Sequence, residues 1–136
     1  MPMRGQLSHI EINVADLNKS AEFWGWLLGK LGYAPYQSWE GGRSWKLGAT
    51  YFVIVQVEDA FKLQAYHRKR TGLNHLAFHA SDRADVDRLT EELKARNVTI
   101  LYADRHPYAA GKGSYAVFFE DPDRIKVELV AAGAES

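Results

Sequence analysis

From residue 7 onward, apolar and polar side chains alternate. Leu7, Ile10, Ile12 and Val14 fall on one face, His9, Glu11 and Asn13 on the other, and this period of two predicts a strand over residues 7–14. The apolar face should pack on a helix and leave the polar face to line something else. The period then changes. Leu17, Ala21, Trp24, Leu27, Leu28 and Leu31 recur at helical spacing behind Asp16, a good acceptor for the free amides of a first turn, and Gly32 follows as a stop. Three strand candidates come next: Tyr33 to Trp39, Arg43 to Leu47 after the Gly41-Gly42 turn signal, and Tyr51 to Glu58, which is rich in β-branched residues.

After a polar, basic connector over residues 59–72 the pattern restarts. Leu73 to Ala80 predicts a strand, Ser81 or Asp82 a cap, and residues 83–96 a helix with Val86, Leu89 and Leu93 inside. Thr99 to Ala103 predicts a strand, Arg105 to Gly113 a loop, Tyr115 to Glu120 a strand, Asp121-Pro-Asp123 a turn and Ile125 to Val130 a last strand. Each half thus reads β-α-β-β-β. His9 and Asp16 match His75 and Asp82 at one offset of 66 residues, and the same offset sets Phe23 on Leu89 and Leu27 on Leu93. An internal repeat with one histidine per copy is a place where a metal could sit.

Composition narrows the choices. The chain's 136 residues are 46% apolar, enough for one domain with a sizeable core (1–136, with module one at about 6–60 and module two at about 72–131). It has no cysteine, which excludes disulfides, thiolate metal sites and a cysteine nucleophile, and fits a cytoplasmic location. Seventeen basic residues balance seventeen acidic ones, so no net field favours nucleic acid or an anionic membrane. The basic run His67-Arg-Lys-Arg70 reads as a solvated loop. No apolar run approaches the roughly 20 residues of a membrane helix. No Gly-x-Ser-x-Gly elbow and no phosphate-cradling Gly-x-x-x-x-Gly-Lys pattern occurs.

Leu7-Ser-His-Ile-Glu-Ile-Asn-Val-Ala-Asp-Leu17, Phe23-Trp24, Leu31-Gly32, Gly72-Leu-Asn-His-Leu-Ala-Phe78, Phe118-Phe-Glu-Asp-Pro-Asp123 and Ile125-Lys-Val-Glu-Leu129 occur in this order. In that order and spacing the chain resembles the vicinal oxygen chelate superfamily, which holds glyoxalase I, extradiol dioxygenases, fosfomycin-resistance proteins and bleomycin-binding proteins. The resemblance spans residues 7–130. It implies an α+β fold of two βαβββ modules forming a cupped, barrel-like mixed sheet with helices outside. It implies a divalent metal (Fe, Mn, Ni or Zn) held by His9, His75 and Glu128, with a fourth slot on the strand at 51–58 where the family carries glutamate. Gln56 aligns there, and Glu58 stands two residues on. Arg124 occupies a position where the family usually has glycine.

Two imidazoles and one carboxylate with open positions suit a metal that takes two neighbouring substrate oxygens. Taken singly, His9 and His75 could be ordinary strand histidines; their matching places in two copies favour ligands. Glu128 alternates with Lys126 and Val130, away from the helix-packed face, so it needs a metal or a basic partner. It is also a candidate catalytic group. Glu11 and His79 share faces with the two histidines and are candidates for a general base, a partner orienting an imidazole, or plain lining. Gln56, Trp45, Arg105 and Tyr115 are candidate substrate contacts: Gln56 as an alternative to ligation, Trp45 and Tyr115 as pocket walls or core, and Arg105 as the partner of an anionic group. The expected function is a metal-dependent enzyme acting on a small molecule through adjacent oxygens. The alternative is a metal-free binding or resistance protein of the antibiotic-sequestering type. A homodimer is expected.

Overall fold

The computed structural model describes residues 2–131. The ends of the predicted domain, Met1 and residues 132–136, lie outside the described residues. The chain divides into two compact units, Met1–Ala65 and Tyr66–Ser136, with the division inside the predicted connector.

The first unit runs β1 (His9–Val14), α1 (Leu17–Lys30), β2 (Ala34–Trp39), β3 (Gly42–Leu47) and β4 (Thr50–Gln56). Its sheet has the order β1-β4-β3-β2, with β1 parallel to β4 and the other pairs antiparallel. A single 3₁₀ turn, Asp59–Phe61, opens the connector. The second unit repeats the plan as β5 (His75–Ala80), α2 (Arg83–Ala95), β6 (Ile100–Leu101), β7 (Tyr115–Glu120) and β8 (Lys126–Ala131), in the order β5-β8-β7-β6. Two βαβββ modules in an α+β fold are what the alternating periods called for.

The same forces close both helices. The Asp16 carboxylate accepts from the Lys19 amide, and that of Asp82 from the Asp85 amide at 2.8 Å. Asp85 reaches back to the Ser81 amide, a reciprocal box. At the C-terminal ends, Gly32 and Asn97 take the left-handed conformation (φ 96° and 60°), and the amides of Tyr33 and Val98 bond to the carbonyls of Leu28 and Leu93. In the first unit, Trp24, Leu27, Leu28, Phe52 and Ile54 are buried, with Trp24 stacked on Phe52 at 4.5 Å. In the second, Val86, Leu89, Leu93, Val127 and Leu129 are buried. Each sheet thus turns one face to its helix and leaves the other to chemistry.

Four strands have an end two residues from the sequence reading, and β5 is one of them, beginning at His75 and not Leu73. β1 begins at His9, not Leu7, which is exposed. β4 ends at Gln56, and Glu58 stands at the start of the 3₁₀ turn, where its side chain makes no capping hydrogen bond. β6 is confined to Ile100–Leu101, because Tyr102 enters the left-handed region at φ 56°, which no ladder accommodates. Among the described residues, no helix is long and apolar enough to cross a membrane.

Candidate metal and substrate site

In the second module, β5 and β8 run parallel with Ala77 opposite Glu128, and this register brings the His75 and Glu128 side chains together on the face away from α2. His75 Nε2 lies 3.1 Å from Glu128 Oε1. Glu128 is buried to 7% exposure, and Phe118, its cross-strand partner, is buried beside it with its ring 6.0 Å from the imidazole. On the other side of the ring, the Asn74 amide oxygen lies 2.8 Å from His75 Nδ1. With Nδ1 accepting from the carboxamide, Nε2 donates to Glu128; with the amide oxygen accepting, Nδ1 carries the ring proton. In a neutral imidazole Nε2 is then an acceptor facing an acceptor. In that tautomer a cation between them would reconcile the two. A histidine whose far nitrogen donates to an amide oxygen has the usual environment of a metal ligand.

His9 holds the equivalent place in the first module. It opens the parallel β1–β4 ladder opposite Tyr51, as His75 opens β5–β8 opposite Lys126. Its ring stacks on Tyr51 at 4.5 Å, and Nδ1 lies 3.0 Å from Ser8 Oγ. Glu11 and His79 are exposed on the same faces as the histidines of their modules, and neither side chain hydrogen-bonds to another described residue. Among the described residues, no three histidine, aspartate or glutamate side chains gather as a metal centre would require. The pair His75–Glu128 is what the second module assembles on its own.

The fourth corner turns out differently from the sequence alignment. Gln56 lies on the helix side of β4 with Phe52 and Ile54. Its Oε1 accepts from the Leu17 amide at 2.9 Å, and its Nε2 donates to the Ala15 carbonyl at 2.8 Å. The carboxamide is committed to starting α1. By ladder register, Glu11↔Val53 matches Ala77↔Glu128, so the residue equivalent to Glu128 is Val53, which has no ligating atom. Glu58 is exposed beyond the strand.

Trp45 and Tyr115 face their helices, the core alternative of their sequence reading, and Trp45 also borders a cavity with Pro35, Tyr36 and Arg43. Trp45 is buried against Gly25 of α1, and the Tyr115 hydroxyl donates to Asp87 of α2 at 2.7 Å. That hydrogen bond to a carboxylate, with burial, holds the Tyr115 phenol above the usual tyrosine range. Arg105 does join the open face. Its guanidinium carbon lies 4.9 Å from the centre of the Tyr102 ring, and that ring packs edge-on against Phe118 at 5.4 Å.

Two residues of this cluster were not singled out from the sequence. Lys126 Nζ donates to Tyr102 Oη at 3.1 Å. That hydrogen bond, with the charges of Lys126, Arg68 and Arg105, holds the Tyr102 phenol below the usual tyrosine range despite partial burial. Lys126 shares strand parity with Glu128, a signal available in the sequence. Tyr102 carried none, because its place depends on its left-handed backbone.

The sequence profile of the Glyoxalase/Bleomycin resistance protein/Dioxygenase superfamily matches residues 6–129. The chain is 58% identical over 125 residues to the uncharacterized protein YqjT of Bacillus subtilis (strain 168), covering 92% of this chain and 98% of that one. It is 29% identical over 127 residues to the glutathione transferase FosA of Serratia marcescens, covering 93% and 81%. Its fold matches the crystal structure of a glyoxalase-like protein from Bacillus halodurans with a TM-score of 0.93 at 62% identity, covering 94% of this chain and 96% of that one. It also matches the fosfomycin resistance protein FosX of Listeria monocytogenes (hexagonal form), with a TM-score of 0.70 at 23% identity, covering 98% and 100%. With its paired βαβββ modules and a match over nearly its whole length, the chain belongs to the glyoxalase/bleomycin resistance protein/dioxygenase superfamily.

Proposed function

We propose that this protein is a metal-dependent enzyme acting on a small substrate through adjacent oxygens. His75 and Glu128 serve as ligands, and His9 completes a three-ligand set. The observation that carries the reading is the approach of two ligating side chains, His75 Nε2 and Glu128 Oε1, to 3.1 Å on one sheet face, with Asn74 Oδ1 against the far ring nitrogen. The donor set fits a first-row divalent metal with open positions, which polarises neighbouring oxygens when bound. The chain's own residues supply the rest. Lys126, Tyr102 and Arg105 place positive charge and a donor beside that pair, suited to a substrate that is itself negatively charged. Phe118 walls the carboxylate against water. Val53 in the fourth corner supports three protein ligands and an additional open position. The relative named as a glutathione transferase makes thiol transfer to such a substrate the first reaction to assay.

A second reading, a metal-free binding protein, is favoured by one observation. A proton in place of the metal would make His75–Glu128 a satisfied ion pair. Metal analysis of untagged protein separates the two readings. The enzyme reading expects stoichiometric transition metal, lost in His75→Ala while the circular dichroism spectrum is retained. Protein that takes up no metal under any loading condition supports the binding protein instead.

A further inference from the structure

The β7–β8 turn carries a residue that its backbone disfavours. Asp121 builds the turn: its carboxylate accepts from the amides of Asp123 and Ile125 at 2.8 Å each, and its carbonyl from the Arg124 amide. The geometry forces the last turn residue into the left-handed region, and Arg124 sits there at φ 66°. Glycine is at ease in that position, whereas a residue with a Cβ costs about 1 kcal/mol. Backbone strain accepted at a turn asks what the side chain does.

The Arg124 side chain lines a cavity of about 150 Å³ with Tyr66, His67, Arg68 and Lys69. This is the basic run that the sequence reading assigned to a solvated loop. Glu120 is shared: its Oε2 takes Arg68 Nη1 at 2.8 Å and Arg124 Nε at 3.4 Å. Arg68 Nη1 also bonds the Arg124 carbonyl at 3.0 Å, which fixes it to the turn. His67 Nδ1 accepts from the Lys69 amide at 3.1 Å, orienting the ring. Tyr66 is anchored by its hydroxyl to the Leu73 carbonyl at 2.7 Å. Asp121, the other nearby acid, is occupied by turn amides. Glu120 is thus divided between two guanidiniums, and Lys69 lines the same cavity. Lys69 Nζ, His67 Nε2, Arg68 Nη2 and the η nitrogens of Arg124 have no acceptor among the described residues.

We infer that the cavity formed by His67, Arg68, Lys69 and Arg124 is a binding site for a small oxyanion of the phosphate or phosphonate class, free or as the end group of a larger molecule. Two arginine forks and a lysine match tetrahedral oxygens. The space, equal to about five waters at roughly 30 Å³ each, holds one such group. A nucleic-acid surface would need basic charge spread along a track, and here it is confined to one concavity in a chain of zero net charge. The inference stands whether or not Glu128 binds metal.

The probe is inorganic phosphate, followed by ¹⁵N-detected arginine and lysine side-chain NMR and by thermal shift. Both are run on the full chain with and without EDTA, so that a metal cannot report the anion, and against chloride at matched ionic strength. Saturable millimolar binding is expected in either condition. Arg124→Gly should weaken it about tenfold while leaving the melting temperature unchanged or higher, since the strain is relieved. Lys69→Ala should weaken it too, and Glu120→Gln, which frees both guanidiniums, should tighten it. Tighter binding of glycerol 3-phosphate than of phosphate marks an end-group site; the reverse marks a free-ion site. Binding that chloride reproduces, binding unchanged in both Arg124→Gly and Lys69→Ala, or preference for a single-stranded oligonucleotide over both phosphates overturns the inference.

Discussion

At the residue scale, Gln56 shows how a polar side chain on a strand can be spent on the neighbouring helix. Its carboxamide answers one orphan amide of α1 and one carbonyl of the preceding turn. Gln56→Leu keeps the volume and loses both bonds, so it should cost about 1–2 kcal/mol and lower the melting temperature by a few degrees. Metal content should stay at the wild-type level. Loss of metal at an unchanged melting temperature would return Gln56 to the centre. Tyr102 gives a second test at this scale. Its folded-state pKa lies below the ordinary value of 10.0 while those of Tyr33, Tyr66 and Tyr115 lie above it. Among these four, Tyr102 should ionise first in an ultraviolet titration at 295 nm, and Tyr102→Phe should remove that phase. Lys126→Met takes away the hydrogen bond and the charge and should move the phase back toward 10.0. The sign for stability follows. A depressed phenol pKa adds stability above the unfolded value of 10.0, and that increment fades as the pH falls through the folded pKa. It contributes nothing near neutrality. Single residues were legible in sequence where strand parity decides their face, as for His9, His75 and Glu128. They were not legible where a cap or a left-handed backbone decides, as for Gln56 and Tyr102.

At the element scale, alternation and capping signals carry most of the information. Asp16 and Asp82, three-and-four spacing, and a left-handed stop after each helix are local features, so both helices emerge within a residue or two of their predicted ends. Strand faces are less local. Trp45 and Phe52 lie directly opposite in the β3–β4 ladder and share the α1 side. The sequence could not say so, because both faces of β4 are apolar apart from Gln56. The β2–β3 hairpin depends on one close approach. A Cβ on Gly42 would overlap the Trp39 ring, 2.7 Å from its Cε2, and would lie 2.8 Å from the Ile54 carbonyl oxygen on the paired strand. The exposed indole can swing away, whereas the backbone oxygen cannot. Gly42→Ala should therefore destabilise the protein by about 1–3 kcal/mol, read as a lower urea midpoint. An unchanged midpoint would mean that the β3–β4 ladder opens at Gly42 at little cost.

At the scale of the whole molecule, the proposed ligand set draws on both modules. The first module offers His9 with the open polar face of β1, and the second offers His75 with Glu128. A two-module chain can supply both halves itself or exchange them with a second copy, and isologous pairing is the commonest assembly. The proposed homodimer has twice the 15.4 kDa of one chain, which a solution mass measurement reads directly. Exchange has a sharper signature in a mixing experiment. His9→Ala and His75→Ala should each abolish tight metal binding in their own homodimers. Co-refolding equal amounts yields about half heterodimers by chance. If halves are exchanged, one site of each heterodimer draws His9 from the His75→Ala chain and His75 from the His9→Ala chain, and is intact. Metal should then return to about one quarter of the wild-type stoichiometry. If each chain closes its own site, every site in every dimer retains one lesion and no metal returns. The outcome turns on which chain contributes His9, a choice that neither module's sequence can express, because both arrangements satisfy the same strand registers and the same helix caps.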